Sequence, residues 1–310
     1  MIMYYIGIDI GGTRLKAGLM ENDRLVKKRI LAARPGGDFA SHVDMLDEAI
    51  ADLLQDIPSL AGIGMAFPGL VDPCAKKVLS TNQKYDDAVW LDLKAYYERR
   101  WRAPFFIEND ARMAAVGEWK YGGGRGTDDL VMVTIGTGIG TAVILQGRLL
   151  RGKHFQAGCL GGHFVLDYRG RGCTCGNVGC AEAEASTWSL PSLVGSHPHF
   201  RESSLRDCGT IDFAELFGAA LKGDRVAGDV KRHCLEVWAA AVISYIHAYD
   251  PERVLLGGGI LQSAGEIVPY IRERVAKHAW TPWGQPVIEC ATLGDDAAIL
   301  GVVHFIQQPL

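Results

Sequence analysis

The stretch Tyr4-Tyr5-Ile6-Gly7-Ile8-Asp9-Ile10-Gly11-Gly12-Thr13-Arg14-Leu15-Lys16-Ala17-Gly18-Leu19 decides how the rest of the chain is read. Tyr4 to Ile8 is apolar and predicts a buried strand, Asp9 to Thr13 a turn, and Leu15 to Leu19 a returning strand. The pattern restarts about 125 residues later. There Leu130 to Ile135 predicts a strand, Gly136-Thr137-Gly138-Ile139-Gly140 a turn, and Thr141 to Leu145 the return. Glycine lets the backbone approach a ligand closely, and exposed amides at such turns attract phosphate oxygens. Thr13 and Thr137 each add a hydroxyl. One such turn fits an ordinary hairpin equally well. Two of them, with a third glycine cluster at Gly257-Gly258-Gly259, favour phosphate binding. Neither turn is a P-loop, because G-x-x-x-x-G-K-[ST] is absent.

Outward from the hairpins, other elements follow from pattern. Ser41 to Leu54 has helical periodicity, with Ser41 as a candidate cap. Leu60 to Phe67 predicts a strand that Pro68-Gly69 ends. Phe105 to Ile107 predicts another, followed by Glu108-Asn109-Asp110 and a helix from Ala111 to Lys120. Gly122 to Gly126 reads as a hinge or surface loop between halves. Phe213 to Leu221 and Ala227 to Tyr249 predict helices, the second stopped by Asp250-Pro251. Val254 to Leu256 predicts a strand running into the third glycine cluster, and Asp296 to Phe305 a last helix.

The 310 residues suit two domains or one large α/β unit with a cleft, and 48% hydrophobic residues support a full core. A net charge of −4 gives no electrostatic case for nucleic acid or an anionic membrane. Met1 to Ile10 is too short, and too interrupted by Asp9, to be a targeting or spanning segment. Eight cysteines without a signal peptide point to a reducing cytoplasm.

Three of those cysteines form a motif. His163 precedes Cys173-Thr174-Cys175-Gly176-Asn177-Val178-Gly179-Cys180, so one imidazole and three thiols fall within 18 residues. That is the ligand number and chemistry of a closed tetrahedral zinc site, with a disulfide pair or a cluster of small core residues as the other readings. Glu182 would be held in place by such a knot. Cys74, Cys159, Cys208, Cys234 and Cys290 form no comparable cluster and read as ordinary buried thiols.

Asp110 is the candidate catalytic base. It follows a buried strand and opens a helix, where the dipole favours a carboxylate that could take a proton from a hydroxyl. The alternative is that Asn109 or Asp110 merely caps the helix. His197 and His199 read as a surface loop, and Arg148 and Arg151 as a solvated turn.

Jointly these motifs resemble the ROK family (repressor, open reading frame, kinase) of the actin-like, hexokinase-type ATPases. The matching pieces are Ile8 to Thr13, Pro68-Gly69, Glu108 to Ala111, Gly136 to Gly140, Gly162-His163, Cys173 to Glu182 and Leu256 to Gly259. The resemblance implies a two-lobed α/β fold (actin-like, hexokinase-type, ribonuclease H-like) with an interlobe cleft. Residues 1–120 would form a small lobe, to which a C-terminal helix at about 296–310 could return, and residues 121–295 a larger lobe carrying the zinc segment 163–182. ATP and Mg²⁺ would lie against Gly11, Gly12, Thr13, Thr137 and Gly138, with Asp9 near the magnesium and phosphates. Gly257, Gly258 and Gly259 would border the nucleoside. Asn109 and Asp110 would hold a sugar, with Asp110 as general base, and His163 and Glu182 would also reach it. Structural Zn²⁺ would sit on His163, Cys173, Cys175 and Cys180. The implied protein is a cytoplasmic homodimer and an ATP-dependent sugar kinase; polyphosphate in place of ATP stays open.

One residue departs from the family. Three positions before the zinc histidine, family sugar kinases usually carry a glutamate that binds sugar hydroxyls; here Leu160 stands there. An unpaired buried hydroxyl would cost roughly 1–3 kcal/mol, so the acceptor is expected to be a sugar or polyol other than glucose. The other readings are a non-catalytic sugar-binding or sensor protein and a repressor. Family repressors carry a helix-turn-helix domain ahead of the first hairpin, and that hairpin begins here about three residues from Met1, which argues against the latter.

Overall fold

The computed structural model describes residues 2–34, 36–81 and 84–307. The chain opens with β1 (Tyr4–Ile10), β2 (Arg14–Glu21), β3 (Arg24–Ala32), α1 (Ala40–Leu53), β4 (Gly62–Phe67), β5 (Leu70–Asp72) and β6 (Lys77–Ser80). It continues through α2 (Leu93–Trp101), β7 (Phe105–Asn109), α3 (Asp110–Tyr121), β8 (Leu130–Ile135), β9 (Ile139–Leu145) and β10 (Arg148–Leu149). Then come α4 (Ala181–Ala185), α5 (Leu190–Gly195), α6 (Phe213–Leu221), α7 (Arg225–Tyr249), β11 (Arg253–Gly257), α8 (Ala264–His278), β12 (Val287–Cys290) and α9 (Ala297–Gln307).

These elements form two compact units: residues 1–126, 151–157 and 292–310, and residues 127–150 and 158–291. The first holds a sheet in the order β3-β2-β1-β4-β7, the second a sheet in the order β10-β9-β8-β11-β12. In each, a glycine-tipped antiparallel hairpin is extended on one side by parallel strands. β4 is buried at every position, as a central parallel strand covered on both faces must be.

In the first unit α9 lies against α3 and the sheet. A Cβ on Gly117 would fall 1.9 Å from the Ala297 carbonyl oxygen, and one on Gly301 would fall 2.1 Å from that of Met113. Only glycine at both contacts lets the two helices approach this closely. Ile6, Ile8, Met65, Phe67 and Phe105 fill the first core. Leu216 of α6, Trp238 and Tyr245 of α7 and Val254 of β11 fill the second.

The helix expected from Ser41 starts one residue earlier, and Ser41 does not cap it. Asp87 does so from a distance, accepting from the amides of Phe39 at 2.7 Å and Ala40 at 2.8 Å, while the Ser41 hydroxyl donates to the Asp38 carbonyl. Among the described residues no helix is long and apolar enough to cross a membrane.

Candidate active site and metal centre

In the first unit, strand register gathers the acidic residues. Asp9 on β1 lies beside Ala66 on β4, which lies beside Glu108 on β7; Phe67 then pairs Asn109. Asp9 and the Asn109-Asp110 pair therefore share the carboxyl ends of parallel strands, where open α/β sheets place ligands. The first turn is closed by the Gly11 amide on the Arg14 carbonyl at 3.0 Å, with Gly12 and Thr13 exposed at its tip. Lys16 pairs with Asp9 at 3.0 Å and with Asp295 at 3.2 Å. Burial pushes the Asp9 carboxyl up, against the pull of Lys16.

Asn109 caps α3, its side-chain oxygen accepting from the Arg112 amide at 3.2 Å. Its amide nitrogen donates to the Gly69 carbonyl and to Asp110 Oδ1, each at 3.0 Å. Asp110 Oδ1 also accepts from the Ala111 amide at 2.8 Å. Asp110 itself is thus the first residue of the helix and not its cap. Oδ1 is pinned by these two donors, and the Asp110 amide itself also bonds the carboxyl. Burial raises the Asp110 carboxyl to about 6, with Asp9 adding to the rise and the Ala111 amide and Lys84 opposing it.

Two arginines that pattern reading did not place in this network surround the neighbouring Glu108. Arg151 Nε donates to Glu108 Oε2 at 2.7 Å, so Arg151 belongs to a buried ion pair and not to a solvated turn. Arg112 is fully buried; its guanidinium lies 3.5 Å from Glu108 Oε1 and donates to the carbonyls of Phe155 at 3.1 Å and Ala157 at 2.6 Å. These bonds fasten residues 151–157 to the first unit.

In the second unit, Gly136 donates to the Gly138 carbonyl at 2.9 Å, and Thr187 and Trp188 back the turn with amides on the Gly136 and Thr137 carbonyls. Thr137 is exposed. The third glycine cluster packs against the end of β8, which leads into this turn. Gly258 has φ +92°, and a Cβ there would lie 2.3 Å from the Ile135 carbonyl oxygen. Glu182 is buried against the same turn: Oε2 accepts from the Ile139 amide at 2.8 Å and Oε1 from the Trp188 indole at 3.3 Å.

His163, Cys173, Cys175 and Cys180 converge, each offering a ligand atom within 4.8 Å of the others. Cys173 Sγ is 3.6 Å from His163 Nδ1, and Cys175 Sγ is 3.7 Å from Cys180 Sγ. Zinc bonds of about 2.3 Å to sulfur and 2.0 Å to nitrogen put tetrahedral ligands roughly 3.6–3.8 Å apart, so the donor set fits the ion. All eight cysteines are free thiols; Cys74 is exposed and Cys208 and Cys290 partly so, unlike the buried thiols expected.

Leu160 sits in a loop fixed on both sides. Thr141 Oγ1 donates to the Gly158 carbonyl at 2.7 Å and accepts from the Gly161 amide at 2.8 Å. The Leu160 carbonyl accepts from the His163 amide at 3.0 Å.

Two α/β units, each with a glycine-tipped hairpin continued by parallel strands, define the hexokinase-type class of fold. The chain belongs to the ROK family, whose model matches residues 5–309. A glucokinase from Thermotoga maritima is 31% identical over 310 residues, covering 98% of this chain and 97% of that protein. The xylose repressor of Bacillus subtilis is 27% identical, over 98% of this chain and 77% of the repressor. A ROK family glucokinase from Streptomyces griseus, solved in complex with glucose and AMPPNP, matches with a TM-score of 0.82 at 28% identity, covering 98% and 99% of the two chains.

Proposed function

We propose that the chain is an ATP-dependent kinase that phosphorylates a hydroxyl of a hexose, a hexose derivative or a related polyol, with Asp110 as general base. The observation that carries this reading is the Asp110 carboxyl: Oδ1 is locked by two donors, and the proton affinity is raised to about 6. A base of that strength is ionised at neutral pH and still able to take a proton in the transition state. The likeness to glucokinases supports the reaction class.

In the proposed step Asp110 Oδ2 accepts the hydroxyl proton. The hydroxyl oxygen then bonds to the γ-phosphorus as the bond to the β–γ bridging oxygen breaks, and ADP leaves. Asn109 holds the sugar beside the base, with His163 and Glu182 as further sugar contacts. The amides of Gly11, Gly12, Thr13 and Gly138 and the Thr137 hydroxyl hold phosphate oxygens, and Gly257 to Gly259 border the nucleoside. Mg²⁺ near Asp9 would neutralise phosphate charge. Zn²⁺ on His163, Cys173, Cys175 and Cys180 would close the loop that positions Glu182.

Leu160 gives a second reading some ground, a non-catalytic sugar sensor of the same family, since it removes a hydrogen-bonding side chain from the expected sugar site. A coupled ADP-release screen over hexoses, amino sugars, deoxy sugars and inositols separates the two. Acceptor-dependent ADP release supports the kinase; nucleotide-independent sugar binding with no release supports the sensor.

A further inference from the structure

We propose that Lys84 is a further catalytic residue of this site, its ammonium held over Gly12 to contact the phosphoryl group being transferred. The inference rests on the kinase reading and adds a residue to it.

Tyr85 delivers the lysine. Its backbone is left-handed, at φ +59°, a conformation that costs a non-glycine residue free energy and persists only where surrounding contacts impose it. Those contacts are present. The Tyr85 ring meets Phe39 and His42 edge-on and lies beside Phe67, and its hydroxyl donates to the Gly11 carbonyl at 2.9 Å. The turn carrying Lys84 is thereby tied to the first glycine turn.

The Lys84 arm then lies across Gly12. A Cβ at Gly12 would be 2.8 Å from Lys84 Nζ, 3.3 Å from Cε and 3.6 Å from Cδ. The missing side chain at Gly12 is the space this arm occupies. Lys16, the other lysine beside the turn, is committed to Asp9 and Asp295. Among the described residues no carboxylate pairs with Lys84. Its charge reaches Asp110, where it opposes the rise caused first by burial and then by Asp9. An ammonium over a phosphate turn, its charge felt at the catalytic carboxylate and with no anionic partner among the described residues, suits a γ-phosphate oxygen. There it would stabilise charge in the transition state and hold Asp110 ionised.

The test compares wild type, Lys84→Met and Lys84→Arg. Calorimetry with MgADP and with the Mg complex of a non-hydrolysable ATP analogue reads the phosphate contact. Steady-state kinetics across pH on the best acceptor reads the chemistry. Lys84→Met should weaken the triphosphate about tenfold and MgADP by less than about threefold, and should lower kcat on the order of 10²-fold. It should also move the acid limb of kcat/KM to higher pH, because Asp110 then faces Asp9 without the lysine; Lys84→Arg should recover most of each effect. Equal loss for both nucleotides, no loss for either, or a change confined to the sugar KM would overturn the proposal. A wild type that binds the triphosphate yet phosphorylates no acceptor would refute the kinase reading while the nucleotide comparison still decides Lys84. Binding of neither nucleotide would refute both.

Discussion

Replacing Asp110 with Asn separates activity from stability in a way the structure quantifies. Asn keeps the oxygen that accepts from Ala111 and Asn109 but removes the base. Turnover should fall on the order of 10²–10⁴-fold, with nucleotide affinity unchanged. Stability should move the other way. The folded carboxyl is raised to about 6 from an ordinary value of 3.8, so the native state binds this proton more tightly than the unfolded chain. Native stability is therefore lost as pH rises from about 4 to about 6 and stays lowered above that. Two units correspond to no more than about 2–3 kcal/mol, and partial exposure of the group reduces it. The Asn variant should then be more stable than wild type at pH 8, by up to about 2 kcal/mol, and no more stable at pH 4. The same proton sets the activity profile. With a pKa of about 6, roughly nine-tenths of the carboxyl is ionised at about pH 7 and one-tenth at about pH 5, so wild-type kcat/KM should drop about tenfold. Denaturant melts at both pH values and rates across pH check all three. A variant active within a few fold of wild type, or a stability difference independent of pH, would refute the reasoning.

Purified protein should carry about one zinc per chain by elemental analysis, and Cys175→Ser should lose it and lower the melting temperature, because the metal contributes directly to local folding. Since Glu182 braces the Ile139 amide, that variant should also raise the KM for ATP; metal-free wild type with full stability would contradict this. Leu160→Glu should improve kcat/KM for glucose and narrow its gap to the best acceptor, whereas a wild type already best on glucose and unimproved by the change would make Leu160 neutral. Glu108→Gln should destabilise the first unit by about 3 kcal/mol in denaturant melts, because it leaves the buried Arg112 and Arg151 without their counter-charge; a cost under about 1 kcal/mol would count against that network.

What the sequence revealed was local. Both hairpins, the strand-to-helix junction at Asn109-Asp110 and the cysteine knot are written in contiguous residues, where period, glycine placement and ligand spacing speak directly. What it hid depends on partners far apart in the chain. Asp87 caps a helix that begins at Ala40, and Arg112 binds carbonyls of residues 155 and 157, so neither role leaves a periodic trace. Arg151 reads as a turn residue because its glycine neighbours dominate the local signal, while its carboxylate partner lies 43 residues earlier. Helix α8 carries Pro269 in its interior, and β12 is a short parallel strand; both weaken the pattern that would have announced them. The sequence singled out Glu182 beside the cysteine cluster, but its grip on the Ile139 amide and the Trp188 indole required the fold to bring the second hairpin to it.

The central claim is phosphoryl transfer from ATP to a sugar or polyol hydroxyl through Asp110. ³¹P NMR of wild type and Asp110→Asn with MgATP and the best screened acceptor tests it most directly. The account predicts that wild type converts the γ-phosphate signal into a phosphate-ester signal in step with ADP formation, and that the Asn variant yields neither at a comparable rate. A γ-phosphate that stays intact with every acceptor, that appears only as inorganic phosphate, or that is transferred equally well by the Asn variant would contradict it.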